Sequence, residues 1–134
     1  MNKFDLEERL IEFSVLIINI VNETSKSKAG NHLAGQLVRS GTSVALNYGE
    51  AQSAESKKDF IHKMKVILKE LRETFICLKI IHRSKLYKTE RKIIEEKKEN
   101  NELISIRQLA EVLPQHRKII NNYSIINKSK IVDR

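Results

Sequence analysis

The sequence predicts an all-α protein, an antiparallel up-and-down four-helix bundle, and three observations support this. Its 134 residues suit one domain with a single apolar core. The composition is 40% apolar and 31% charged, with 5% aromatic residues, one proline and no tryptophan, which is typical of helical proteins rather than sandwiches or barrels. Apolar residues recur at three- and four-residue steps in segments that short polar connections separate. We expect one domain over residues 1–134, with residues 115–134 as a kinked extension or frayed tail.

The first helix is predicted over residues 5–24. Its apolar stripe consists of Leu6, Leu10, Phe13, Ile17, Ile20 and Val21. Because Ile11, Val15 and Ile18 widen this stripe, we expect the helix to be buried nearly all round. Residues 22–31 are rich in Ser, Thr, Asn and Gly, and they predict a turn that supplies capping side chains.

The second helix is predicted over residues 32–50, although each of its three glycines costs about 1 kcal/mol relative to alanine in a helix interior. Its helical spacing is carried by Leu33, Leu37, Gly41, Val44 and Tyr48. With Ala34 and Ala45, Gly41 forms a face of small residues that predicts close approach of a neighbouring backbone.

The third helix is predicted to follow Ser53 or Ser56 as N-cap and to run to about Arg83. Apolar residues recur along it in 3.5-residue steps at Phe60, Met64, Ile67, Leu71, Phe75 (or Thr74) and Leu78.

The fourth helix is predicted over residues 89–113, with an apolar stripe that includes Ile93 and Leu103. Residues 95–102 are polar on every side, which indicates either an exposed turn of that helix or a break in it. Pro114 lacks a backbone donor and clashes with the preceding turn, so we expect the helix to end or kink near Leu113.

The net charge of +8 is unevenly distributed: residues 1–25 carry −3, residues 26–88 carry +8 and residues 89–134 carry +3. A basic surface attracts phosphate polymers, acidic membranes or acidic proteins at long range. No apolar run is long enough to span a membrane, and acidic residues stand where a secretory signal would need a basic start. With Cys77 as the single cysteine, we expect a cytoplasmic protein without a membrane partner.

The sequence lacks recognisable catalytic, metal or nucleotide motifs. Asp59 and His62 form one carboxylate–histidine pair three residues apart, whereas a di-iron bundle needs two Glu-x-x-His steps. The glycines match neither phosphate-binding pattern. We therefore expect no enzymatic activity, no metal and no cofactor. The alternative, an enzyme, has one candidate cluster of titratable groups: Arg39, Glu50, Asp59, His62 and Glu73.

A row of hydrogen-bonding side chains follows one face of the second helix in steps of four and three residues. Its members are Gln36, Ser40, Ser43, Asn47 and Glu50, with Arg39 beside them. If this face is solvated the row has no role, but if protein covers it each group needs a partner. The candidate partners are Glu70 and Glu73 of the third helix or a second protomer. We interpret the row, with Glu73, as a structural or oligomer seam.

Cationic side chains follow the third helix at the same spacing and form what we call the basic ridge. Its members are Lys58, His62, Lys65, Lys69, Arg72, Lys79 and Arg83. The sequence offers one neutralising pair, Lys69 with Glu73. Like charges at this spacing repel by a few tenths of a kcal/mol per pair, a cost accepted more readily where a polyanion binds. The other interpretation is a solvated lysine-rich face. Because lysine favours phosphate contacts and no aromatic residues interleave, the ridge predicts sequence-tolerant binding.

Residues 36–81 resemble the four-helix bundle family known as S23 ribosomal protein or 23S rRNA intervening-sequence protein. The matching residues are Gln36, Arg39, Ser40, Ser43, Asn47 and Glu50 in the second helix, then Ser56, Lys58, Asp59, Phe60, Leu68, Glu70 and Glu73. The run ENNELISI at 99–106 also looks like the last helix of that family. After Ile106 the sequence departs from the family pattern, since QLAEVLPQHRK introduces a proline.

The resemblance implies a left-handed antiparallel bundle, commonly assembled as a ring-shaped homopentamer, with no established enzymatic activity. Some members are encoded within intervening sequences of bacterial 23S rRNA genes. A related group, the accessory variability proteins of diversity-generating retroelements, forms a basic pentamer that binds reverse transcriptase and nucleic acid. We expect a homo-oligomer that binds RNA or DNA, with RNA favoured, through the basic ridge. The alternative is an adaptor that recruits an acidic protein partner, such as a reverse transcriptase.

Overall fold

The computed structural model describes residues 3–112, with side-chain surroundings for residues 5–106. This range contains four α-helices and no strand: α1 (Lys3–Glu23), α2 (Lys28–Gln52), α3 (Lys57–Arg83) and α4 (Glu90–Val112). Consecutive helices pack against each other across short connections, and α1 also contacts α4. The all-α, up-and-down four-helix bundle is confirmed. Pro114 and residues 115–134 lie outside the described residues, so the predicted kink and tail stay predictions.

The predicted apolar stripes meet in one core. Each helix contributes side chains that are buried completely, among them Leu10, Ile17, Leu37, Val44, Ile67, Leu71, Leu78, Ile81, Ile93 and Leu103. Burying a side chain of this size contributes roughly 1.5–3 kcal/mol, so the stripes position the four helices and thereby the charged rows on their outer faces. In the part of the chain that the structure describes, no helix has the length and apolarity needed to cross a bilayer.

The prediction that α1 is buried nearly all round is wrong. Ile11, Val15, Leu16 and Ile18 are each 40–44% exposed. A helix at one corner of a four-helix bundle turns a single stripe toward its neighbours, here α2 and α4, so residues that widen the stripe reach the surface. We call Ile11, Val15 and Ile18 the α1 apolar face.

Serine side chains begin α2 and α3. Ser27 Oγ accepts the Gly30 backbone N–H at 3.1 Å, and Ser56 Oγ accepts the Asp59 backbone N–H at 3.0 Å. Of the two predicted caps for the third helix, Ser56 is therefore the one used. α2 begins four residues before the predicted position because Ser27 already provides an N-cap there.

Gly41 lies at the close approach of α1 and α2 that its small-residue face predicts. A Cβ atom at this position would lie 2.7 Å from Ile17 Cγ2 and 3.2 Å from Ile17 Cβ. We expect Gly41→Ala to lower the free energy of unfolding by about 1–3 kcal/mol, because crowding against a buried β-branched side chain outweighs the gain in helix propensity. Urea denaturation followed by circular dichroism measures this difference.

Gly35→Ala is the matched control within the same helix. A Cβ at position 35 meets nothing within 4 Å, so alanine is expected to stabilise the protein by up to about 1 kcal/mol. If both alanine variants were stabilising, the close contact between Gly41 and Ile17 would be refuted.

Candidate nucleic-acid interface and polar seam

The basic ridge follows the outer face of α3, opposite the side chains that this helix buries in the core. Six of its seven members are exposed, namely Lys58, His62, Lys65, Lys69, Arg72 and Arg83. Lys58 and Arg72 are 14 positions apart, which corresponds to about 21 Å of helix. The first five members therefore form a continuous row, which we call the upper ridge: Lys58, His62, Lys65, Lys69 and Arg72.

The lower part of the ridge is interrupted. Lys79 is half-buried, and its Nζ lies 4.6 Å from the centre of the Phe75 ring in a cation–π contact. Ile76, which is 53% exposed, lies between Arg72 and Lys79, and Ile80, which is 44% exposed, lies between Lys79 and Arg83. The structure thus concentrates the accessible charge between positions 58 and 72.

Carboxylates do little to neutralise the upper ridge. The predicted pairing of Lys69 with Glu73 is wrong, because Glu73 pairs with Arg39 of α2 instead. Lys69 Nζ lies 4.0 Å from Glu70 Oε1, the outer limit of an ion pair. Within residues 5–106, no ion pair involves Lys58, Lys65 or Arg72. Their charges are consequently directed at solvent.

The polar row of α2 faces α3, and the centre of the contact is buried. Arg39 Nη1 donates to Glu70 Oε2 at 3.1 Å, and Ser43 Oγ donates to the same oxygen at 2.8 Å. One turn away, Thr74 Oγ1 donates to Ser40 Oγ at 2.8 Å. Glu70 is 5% exposed, and the bonds from Arg39 and Ser43 compensate the burial of its carboxylate.

The ends of the row are more open. Gln36 Oε1 accepts from Arg39 at 3.3 Å, and the Asn47 side-chain amide donates to the Ser43 carbonyl of its own helix at 2.8 Å. Glu50 Oε1 accepts from Lys63 Nζ of α3 at 2.8 Å, which raises the pKa of Lys63. The bonds that Glu50, Glu70 and Glu73 accept run between α2 and α3 of one chain, and Glu70 and Glu73 were among the candidate partners.

Because of the helical periodicity, α3 carries the seam partners on one face and the basic ridge on another. Glu70 and Thr74 turn toward α2, whereas Lys69 and Arg72 turn outward. A carboxylate bound to Arg39 and Ser43 is less available to the neighbouring lysine, so the seam keeps the upper ridge cationic.

Most members of the candidate enzyme cluster take part in separate contacts. Arg39 and Glu73 belong to the seam, Glu50 pairs with Lys63, and Asp59 Oδ2 accepts the Glu55 backbone N–H at 3.3 Å in the connection before α3. His62 lies on the exposed ridge. Among the residues that the structure describes, no group of three or more His, Cys, Asp or Glu could hold a metal ion.

Cys77 is buried on α3, and its Sγ lies 3.4 Å from the Leu33 carbonyl oxygen of α2. Burial, with a smaller contribution from the nearby Glu73 charge, raises the pKa of the thiol to about 11. The thiolate is therefore scarce at neutral pH, as expected for a cysteine that packs rather than reacts.

Sequence reasoning missed two buried polar residues of α4. The helix continues through residues 95–102, so this stretch is neither a break nor a wholly exposed turn. Glu96 and Asn100 are 2% and 0% exposed. The signal was present in the spacing, because both residues continue the core stripe of Ile93 and Leu103 in steps of three and four.

The family described as 23S rRNA-intervening sequence protein matches residues 2–111 of the chain. The search of curated proteins found no match to this chain. Among solved structures, a protein with unknown function from the S23 ribosomal protein family of Bacteroides thetaiotaomicron VPI-5482 is 28% identical to this chain, with a TM-score of 0.73. The superposition covers 80% of this chain and 98% of the Bacteroides protein.

Proposed function

The chain belongs to the 23S rRNA-intervening sequence protein family, and we propose that it is a non-enzymatic, nucleic-acid-binding oligomer that contacts RNA phosphates through the upper ridge. The observation that carries this proposal is the row of accessible cations between Lys58 and Arg72, which protein carboxylates leave largely unneutralised. Like charges at helical spacing repel and lower the stability of the helix, so a row of this kind is better explained if it binds an anion.

Binding would be driven by release of counterions from the nucleic acid. Lys58, Lys65, Lys69 and Arg72 supply charge to phosphates, and this contribution is independent of base sequence. The aromatic residues of α3, Phe60 and Phe75, are buried and half-buried, so they offer no exposed platform on which bases could stack. These properties support a sequence-tolerant contact with structured RNA.

Assembly of several copies would strengthen a weak individual contact. The α1 apolar face supports a homo-oligomer, because exposed isoleucine and valine side chains in a row are removed from water when another chain packs on them. The family resemblance implies a pentameric ring. If several upper ridges face one polymer, each further contact is intramolecular and avidity rises by orders of magnitude.

A second candidate function is an adaptor that recruits an acidic protein partner such as a reverse transcriptase. Ile76 and Ile80 favour it, because they expose apolar surface directly beside Arg72. A shallow groove of about 420 Å³ lies there, with Leu33 on its α2 side. Binding to such a partner would depend less on salt than binding to RNA does, since apolar contacts are not screened.

Charge reversal on the upper ridge tests the proposed function. We expect Lys65→Glu/Lys69→Glu to weaken binding of a fluorescein-labelled RNA hairpin by about a hundredfold or more at low salt, because it removes two phosphate contacts and adds two repulsive charges. Fluorescence anisotropy titrations with the hairpin and with duplex DNA measure the loss. Circular dichroism verifies that the variant keeps its helices.

Lys28→Glu/Lys98→Glu is the control, since it changes the net charge equally at exposed positions of α2 and α4. It is expected to weaken binding by about threefold or less, through the long-range field alone. Equal losses in the two double variants would show that general charge, and not the ridge, attracts the RNA.

A further inference from the structure

A groove of about 730 Å³ runs between α1 and α4, which pack less closely than the other neighbouring helices. Its lining is acidic in a protein whose net charge is +8. The carboxylates come from both helices: Asp5, Glu8, Glu12, Glu95, Glu96 and Glu99. The groove lies on helices other than α3, so it is separate from the basic ridge and independent of the proposed function.

Three cations, Arg9, Arg91 and Lys92, also line the groove and neutralise only part of this charge. Arg9 binds Glu99, with Nε at 2.6 Å from Oε2 and Nη2 at 2.7 Å from Oε1, and it also binds Glu102 at 2.8 Å. These bonds raise the pKa of the guanidinium further above its ordinary value. Lys92 Nζ lies 3.9 Å from Glu23, toward the end of α1. Among the described residues, no ion pair involves Glu8, Glu12, Glu95 or Glu96.

Glu96 lies at the floor of the groove and is 2% exposed. Within the described part of the chain, neither of its carboxylate oxygens has a hydrogen-bond partner. One turn further along, the amide oxygen and nitrogen of the buried Asn100 also have none in that range. Buried polar atoms without partners are rare, because each costs free energy that a hydrogen bond would recover. Of these residues Glu96 lines the groove, and its two acceptor oxygens are what a donor-rich cation would satisfy.

We propose that this groove binds a linear aliphatic polyamine. Its ammonium groups would donate to Glu96 and Glu12, and its methylene groups would lie along the apolar wall that Leu16 and Ile20 provide. An ammonium carries three donors and no acceptor, which suits carboxylates that lack partners.

The spacing of the carboxylates fits such a ligand. Glu8 and Glu12 stand four residues apart on α1, and so do Glu95 and Glu99 on α4, about 6 Å along each axis. Ammonium groups separated by three or four methylene groups have a similar spacing. A metal ion fits less well, because the described residues hold no group of three ligands.

Ligand binding would displace a proton from Glu96. Burial, together with the like charges of Glu99 and Glu12, raises the pKa of this carboxyl to about 8, so most chains hold a proton there at pH 7. An ammonium that binds the carboxylate sends that proton to the buffer. The charged groups around it are Glu12 and Arg9 from α1, with Glu99 and the groove cations Arg91 and Lys92 on α4. On the α3 side, His82 Nδ1 lies 2.9 Å from Lys97 Nζ, one position along α4 from Glu96.

Isothermal titration calorimetry of the full chain with spermidine tests the proposal. At about 150 mM NaCl, where long-range attraction is screened, we expect one saturable site per chain. Titrations at pH 7 in two buffers of different ionisation enthalpy are expected to show release of nearly one proton. The affinity is expected to rise about tenfold from pH 6.5 to pH 8.5, as the proton becomes easier to displace.

Neutral variants identify the site. Glu96→Gln is expected to weaken spermidine binding at pH 8.5 at least tenfold and to abolish the proton release. Glu12→Gln should weaken binding while the release persists, and it keeps the proposal testable if Glu96→Gln does not fold. Glu55→Gln, on an exposed residue of the connection between α2 and α3, should change neither quantity. The proposal is overturned if spermidine gives no saturable heat, if Glu96→Gln binds it normally, or if magnesium chloride at equal ionic strength gives the same signal.

Discussion

Raising the pH from about 5 to 9 is expected to lower the free energy of unfolding by roughly 4 kcal/mol through Glu96. Folding raises the pKa of this carboxyl from 4.5 to about 8, chiefly because it is buried. Between those two pH values the folded chain binds more protons than the unfolded chain, so stability falls as the pH rises. The contribution of Glu96 becomes constant only about one pH unit below 4.5 and one unit above 8.

Glu96→Gln removes this dependence, since glutamine keeps the shape of the protonated side chain and cannot ionise. We expect the variant to match the parent within about 1 kcal/mol at pH 5 and to exceed its stability by roughly 3–4 kcal/mol at pH 9. Urea denaturation at intervals of one pH unit gives the free energy of unfolding of both proteins. Subtracting the parent curve from the Glu96→Gln curve removes the contributions of the other titrating groups. Glu55→Gln is the exposed control and should retain the full slope. Parallel curves for Glu96→Gln and the parent would show that Glu96 is solvated.

Removing the Glu70 carboxylate is expected to cost roughly 2–4 kcal/mol of stability. Glu70→Ala leaves Ser43 without its acceptor across the helix pair and takes from Arg39 its bond at 3.1 Å. The same substitution opens a cavity in a position that is 5% exposed. Chemical denaturation at neutral pH measures the loss.

Glu73→Ala is the matched control for this prediction. Both glutamates bind Arg39, but the Glu73 side chain is 36% exposed and water can replace its contacts. Its loss should cost less than about 1 kcal/mol. A Glu70→Ala variant no less stable than Glu73→Ala would mean that the seam does not contribute to holding α2 against α3.

The arrangement of the bundle separates opposite charges. The basic ridge occupies the outer face of α3, whereas the acidic groove lies between α1 and α4. A polyanion approaching such a molecule is drawn to one face and repelled from another, which orients the encounter before any contact forms. The seam contributes to this separation, because it holds Glu70 and Glu73 close to α2.

Periodicity sufficed to predict those features that depend on one helix at a time. The stripe from Phe60 to Leu78 predicted α3 and its buried side, and the small-residue face around Gly41 predicted close contact with a neighbour. The spacing of the α2 row predicted Glu70 and Glu73 as possible partners. In each case, residues three or four positions apart in the sequence lie on the same face of one helix.

Features that depend on relative helix placement could not be predicted in this way. Whether Ile11 and Val15 are buried depends on how many helices pack around α1. The sequence of α1 alone does not determine that number. Because Arg39 of α2 pairs with Glu73, the carboxylate that remains near Lys69 is that of Glu70. Glu96 is buried because of its position in the stripe, although its polarity alone predicts an exposed side chain.

The salt dependence of RNA affinity tests the central claim, that accessible lysine and arginine side chains of the upper ridge contact phosphates. The dissociation constant of the parent protein for the RNA hairpin would be measured by anisotropy across a series of NaCl concentrations, with Lys65→Glu/Lys69→Glu alongside. We expect the logarithm of the association constant to fall with the logarithm of salt with a slope of about −3 or steeper, and the double variant to lose about two units of that slope. A slope shallower than about −1 in the parent, or the same slope in both proteins, would contradict the claim.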